Sequence, residues 1–169
     1  MSNTESNIQV AWGQHTYSCA EDVKDFGSHG GSQVLFEKEL TTDQYVSDNG
    51  SSVTLDGLLT VKGSFDVEGG SHVKAKNGLV VMTDRVHVGN GSQVIVDGPL
   101  VINGIDMSMV ASWRDYVKVD PGSSFVWNPA PAACFLAGTM IRMADGTDKA
   151  VEHIKIGDMV MVHNPKKVA

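Results

Sequence analysis

A four-residue mark recurs through the middle of the chain and limits what it can fold into. Gly31-Ser32-Gln33-Val34, Gly50-Ser51-Ser52-Val53, Gly70-Ser71-His72-Val73 and Gly91-Ser92-Gln93-Val94 start 19, 20 and 21 residues apart. Between the marks apolar and polar residues alternate, as in Val53-Thr54-Leu55-Asp56-Gly57-Leu58-Leu59-Thr60-Val61 and Val94-Ile95-Val96-Asp97-Gly98-Pro99-Leu100-Val101-Ile102. That is the period of half-buried strands, and helical spacing fits it poorly. The expectation is a mainly β fold, a glycine-punctuated β-repeat built as a β-solenoid or an intertwined β-fibre, because each rung buries its apolar row only against the next. Asp56-Gly57 and Asp97-Gly98 leave a second arrangement open, hairpin turns in an antiparallel meander. Three or four rungs make a small core with open strand edges, so a homo-oligomer is expected, a trimer first.

Around the repeat the text changes. Residues 1–30 are polar and glycine-rich, with Trp12, Tyr17 and Phe26 as scattered anchors, and are expected to form a mobile or docking arm. Residues 31–127 form the repeat domain. Near its end Ile105, Met109, Trp113 and Tyr116 or Val117 fall on one helical face, which predicts a short helix near 105–117. The Pro129 and Pro131 stretch, 128–133, reads as an extended linker, with a boundary near 133.

The net charge of -7, without a run of basic residues longer than Lys166-Lys167, argues against a nucleic-acid surface. The first residues lack a basic patch followed by an apolar run, and no later stretch reaches membrane-spanning length, so synthesis in the cytoplasm and no membrane partner are expected. Cys19 and Cys134 are taken as free thiols, Cys19 with no activating neighbour. No cofactor is implied. No metal-ligand set is visible at suitable spacing along the chain.

After the linker comes Cys134-Phe135-Leu136-Ala137-Gly138-Thr139-Met140-Ile141-Arg142, then Asp145-Gly146, Val151-Glu152, Ile154, and Gly157-Asp158 leading into Met159-Val160-Met161-Val162. Read from its residues alone, this is strand, Asp-Gly turn, short strand, Gly-Asp turn and strand, with a cysteine at an exposed junction. The block resembles the opening segment of the Hint family, the self-cleaving domains of inteins and hedgehog proteins. The resemblance implies that the Cys134 thiol attacks the carbonyl of Ala133, turning the Ala133–Cys134 peptide bond into a thioester that another nucleophile resolves. Residues 134–169 would then be a partial, all-β Hint segment, with Gly138, Thr139, Gly157 and Asp158 as supporting motif positions. The family takes a proton-donating histidine from a Thr-x-x-His block downstream, and 134–169 contain no such block. His153 and His163 do not match that position and are expected at the surface; Asp158 is expected to form a turn rather than act as an acid.

A weaker, compositional resemblance links residues 31–127 to phage tail-fibre, baseplate and head-decoration proteins, which implies virion proteins as partners and the virion as location. The combined expectation is a viral-type structural protein whose C-terminal segment starts autoprocessing. Two alternatives stand beside it. One is the N-terminal precursor of a split intein, completed by a complementary C-terminal Hint chain; the other is a structural or adhesive repeat protein with an inert Hint relic.

Overall fold

The fold is described from a computed structural model, for residues 6–129 and 140–161. The chain divides into two compact units, Met1–Ala130 and Pro131–Ala169.

The first unit is a β-solenoid of about five turns. Each coil contributes short strands to three parallel ladders. One ladder runs through Gln14–Tyr17, Gln33–Phe36, Ser52–Leu55, His72–Ala75, Gln93–Asp97 and Ser124–Asn128. The second joins the first halves of Glu21–His29 and Leu40–Ser47 to Leu59–Val61, Leu79–Val81 and Leu100–Ile102. The third joins Ile8–Ala11 and the second halves of the two long strands to Phe65–Val67, Val86–Val88 and Lys118–Val119. Ser52–Leu55 and Leu59–Val61 thus lie in different ladders, each paired parallel with the neighbouring coils. The hairpin meander is not formed.

The Gly-Ser-x-Val marks are one corner of the coil, repeated. Paired positive φ values occur at Gly30-Gly31, Asn49-Gly50, Gly69-Gly70 and Asn90-Gly91. In each case the following serine N–H donates to the carbonyl three residues back, as in Ser51 to Asp48 (3.3 Å) and Ser92 to Gly89 (3.1 Å). This is type I′ geometry, which only Gly and Asn adopt readily. Ser32, Ser51, Ser71 and Ser92 then turn into the interior, all essentially without solvent exposure. A buried hydroxyl calls for a partner, which three of the four find and Ser32 Oγ does not among the described residues. Ser28 Oγ lies 2.8 Å from Ser47 Oγ and 3.0 Å from Ser51 Oγ; Ser51 Oγ donates to Ser71 Oγ at 3.3 Å, and Ser71 N–H donates to Ser92 Oγ at 3.1 Å.

Like residues stack elsewhere in the interior. Leu40, Leu59, Leu79 and Leu100 form one fully buried column, and Val34, Val53, Val73 and Val94 another. Tyr17, Phe36, Phe26, Tyr45 and Phe65 make a continuous row of ring contacts, stacked, tilted or edge-on, with centroids 4.8 to 5.3 Å apart. Such contacts add to the area they bury. Burial holds the Tyr45 phenol far above its ordinary pKa.

Two expectations are corrected. The expected N-terminal arm is, over residues 6–29, the first coil: Ile8–Ala11, Gln14–Tyr17 and Glu21–His29 all pair into the ladders. Its corner is Trp12-Gly13, with φ of 64° and 78°, and it lacks the serine that marks the others. The helix expected near 105–117 is replaced by Ile105–Asp106, paired antiparallel with Leu100–Ile102, and two 3-10 turns, Met107–Met109 and Trp113–Tyr116. The exposed edge of Leu100–Ile102 takes the backbone bonds a helix would have used. Asp106 caps the first turn, accepting from Ser108 N–H at 2.9 Å. Met107 is buried on the core, and Trp113 packs against Phe125 and Trp127. The segment closes over the last coil.

In the second unit Met140–Arg142 pairs antiparallel with Asp148–Ala150 around the Asp145-Gly146 turn, with a 3-10 turn at Val151–His153. Met143 bridges Val160.

Glycines test this geometry in two ways. At Gly57 an added Cβ would stand 2.3 Å from backbone atoms of Lys38 and Glu39, whereas at Gly50 it meets nothing but the backbone has φ +76°. Gly50→Ala is expected to cost about 1–2 kcal/mol, the left-handed penalty alone. Gly57→Ala, which forces two coils apart, is expected to cost more, about 3 kcal/mol. The urea midpoints of the two variants check the order.

Candidate functional site

Ala133, Cys134, Gly138 and Thr139 lie outside the described residues, as does His163. Gly157 and Asp158 lie within them, and their role is local. Gly157 has φ +99°, and Asp158 Oδ2 accepts from Lys155 N–H at 2.9 Å and from Lys149 Nζ at 2.7 Å. The carboxylate closes its own turn and ties it to the hairpin strand Asp148–Ala150, as an aspartate after glycine readily does. Lys149 first, and then the Lys155 N–H, hold its pKa below the usual carboxylate value. The hairpin turn uses the same device: Asp145 Oδ1 accepts from Thr147 N–H (2.9 Å) and Thr147 Oγ1 (2.6 Å). Across the strands Arg142 pairs with Asp148. His153 is exposed, and so is Cys19.

A second group of titratable residues lies on the outward face of the third ladder. Asp66 and His87 are register partners on adjacent coils, and Glu68 follows two residues after Asp66, on the same face. His87 Nδ1 stands 2.9 Å from Asp66 Oδ1 and 3.4 Å from Glu68 Oε1, while Nε2 donates to Asp120 Oδ2 at 2.8 Å. Gly89 lies beneath this contact: a Cβ there would meet Asp120 Oδ2 at 2.6 Å and His87 Nε2 at 2.9 Å. The bond to Asp120 is the largest cause raising the His87 pKa, with the Asp66 carboxylate adding to it and partial burial opposing. Near the other end of the same face His29 bonds Asp48 through Nδ1 (2.7 Å) and Gln9 through Nε2 (2.9 Å), over the bare backbone of Gly27.

Spacing along the chain hides the His87 set. Its members are 21 and 33 residues from their partners, and only a coil period read as a stacking offset brings Asp66 beneath His87. Among the described residues, Asp66, Glu68 and His87 offer ligand atoms within 4.8 Å of one another, so here the coil repeat creates a ligand set that linear spacing does not show.

No family model, curated protein or solved structure matches this chain. Among the described residues no helix is long and apolar enough to cross a membrane.

The Asp158 turn has a definite pH signature. A carboxylate whose folded pKa is depressed contributes stability above its unfolded value, about 3.8, and that contribution is lost as pH falls through the lower folded value. A carboxyl-carbon NMR titration is expected to place the Asp158 midpoint below 3.8, and Lys149→Ala is expected to move it upward.

Proposed function

We propose that this chain is a structural β-solenoid carrying, from Cys134 onward, the opening segment of a Hint-type self-processing domain. The observation that carries the reading is the block Cys134 to Val162, with Gly-Thr, Asp-Gly, Val-Glu and Gly-Asp at the spacing of that family. Its two turn motifs are backed by turns built around Asp145-Gly146 and Gly157-Asp158.

In this reading Cys134 Sγ, as thiolate, adds to the carbonyl carbon of Ala133. The C–N bond breaks, its nitrogen takes up a proton to become the α-amine of Cys134, and a thioester joins Ala133 to the cysteine sulfur. Exchange of an amide for a thioester is uphill, so hydrogen-bond donors for the oxyanion and a proton for the nitrogen must be supplied. The family's donor histidine is absent from 134–169, which assigns it to further residues or to a complementary chain. The small side chain of Ala133 leaves the carbonyl accessible. The scissile bond falls after Ser124–Asn128, the last strand of the ladders, so its cleavage removes no strand from the solenoid. The released product is a folded coil stack, suited to a rigid part in a larger assembly.

Intact-mass measurement of the purified protein with hydroxylamine or dithiothreitol tests this, since both cleave thioesters and leave amides. A reagent-dependent fragment ending at Ala133, absent in Cys134→Ala, is expected. An unchanged mass in the unsubstituted protein overturns processing by residues 134–169 on their own and leaves the structural role, with processing only where a complementary chain supplies the missing histidine.

A further inference from the structure

We propose that Asp66, Glu68 and His87 bind one divalent transition-metal ion, with Asp120 as the residue that positions the imidazole. Two of the three separations between ligand atoms match a coordination shell, and the third lies within 4.8 Å. An ion about 2.1 Å from two ligands spans about 3.0 Å between them at a right angle and about 3.4 Å at the tetrahedral angle. His87 Nδ1 stands 2.9 Å from Asp66 Oδ1 and 3.4 Å from Glu68 Oε1.

The chemistry of the donors points the same way, independently of spacing. Asp120 is an acceptor only, so His87 Nε2 carries the hydrogen of the 2.8 Å bond between them. In the neutral imidazole Nδ1 then turns its lone pair toward Asp66, with Glu68 Oε1 3.4 Å away, and both carboxylates also only accept. Electron-rich atoms this close together require a positive centre among them, whether a proton on Nδ1 or a metal ion. A carboxylate that holds the far nitrogen of a ligating histidine is the usual support for such a ligand, fixing both its tautomer and its orientation. Gly89 makes this support possible, because any side chain there would strike both Asp120 and His87.

His29 provides an internal contrast. It has the same stacked carboxylate, Asp48 at 2.7 Å, but its other nitrogen faces the Gln9 amide, and among the described residues no second carboxylate shares the first nitrogen. It therefore lacks the converging set.

One nitrogen and two carboxylates suit zinc or a neighbouring transition metal better than calcium, which takes six to eight oxygens. The side chains of Asp66, Glu68 and His87 are 38%, 41% and 24% exposed, which leaves a face for water ligands. Because Asp66 and Glu68 lie on one coil, His87 on the next and Asp120 on the one after, an ion here would tie the last coils together along the stack.

The test is calorimetric titration of Zn²⁺ into the full chain with Cys19→Ser and Cys134→Ser, so that thiols do not compete. One saturable equivalent is expected, weakened at least tenfold by His87→Gln and by Asp66→Asn, and about 10- to 100-fold by Asp120→Asn, as for other residues that orient a ligand. His29→Ala is expected to leave the affinity unchanged, and circular dichroism confirms that each variant is folded. Absence of saturable binding, or binding that survives both His87→Gln and Asp66→Asn in folded protein, overturns the site.

Discussion

The register between coils is the constraint on which everything else in the solenoid depends. A parallel ladder places residues about 20 positions apart directly over one another, so each interior position becomes a column, and a column is stable only if its members match in size and polarity. Leucine sits over leucine at 40, 59, 79 and 100, and serine hydroxyls link coil to coil at 28, 47, 51 and 71. The type I′ corner keeps the register by returning the chain at the same place in each coil that carries it, which is why Asn or Gly followed by Gly precedes Ser32, Ser51, Ser71 and Ser92. In the last coil Pro121-Gly122 takes over the corner, with Gly122 at φ +83° and Ser123 N–H bonded back to Asp120 at 3.0 Å.

The same constraint explains what the sequence reveals and what it hides. The corner is legible wherever Gly-Ser stands in it, and the alternation after each mark correctly gives strands. Trp12-Gly13 performs the same turn without the serine, so the first coil reads as a loose arm. Its left-handed tryptophan is an uncommon choice, and its ring lies over Gly30, where an added Cβ would come within 3.1 Å of it. The 105–117 segment carries a 3.6-residue pattern that the structure does not follow: Met109, on the expected face, is exposed, whereas Met107, off it, is buried on the last coil. Met107 and Trp113 are set by two short turns, and the ladder edge claims Ile105–Asp106 for pairing.

The candidate sites divide along the same line. Gly157 and Asp158 are legible because a turn is a local event decided by neighbouring residues. The His87 set is not, since its members meet only when three successive coils have stacked. Outward positions of a solenoid form columns just as interior ones do, and here they bring carboxylates and imidazoles from successive coils into contact. The coil stack is thus a scaffold for groups on its face.

Paired cysteines at outward register partners test the stacking most directly. In a background with Cys19→Ser and Cys134→Ser, Thr54→Cys and Lys74→Cys replace residues that face each other on adjacent coils. Adjacent parallel strands place Cα atoms about 4.8 Å apart, within disulfide range. Mild oxidation is predicted to give an intramolecular disulfide in monomeric protein, seen as a loss of two mass units and of both free thiols. Thiols that stay reactive under the same oxidation would contradict coil-on-coil stacking and return the repeat to an antiparallel meander.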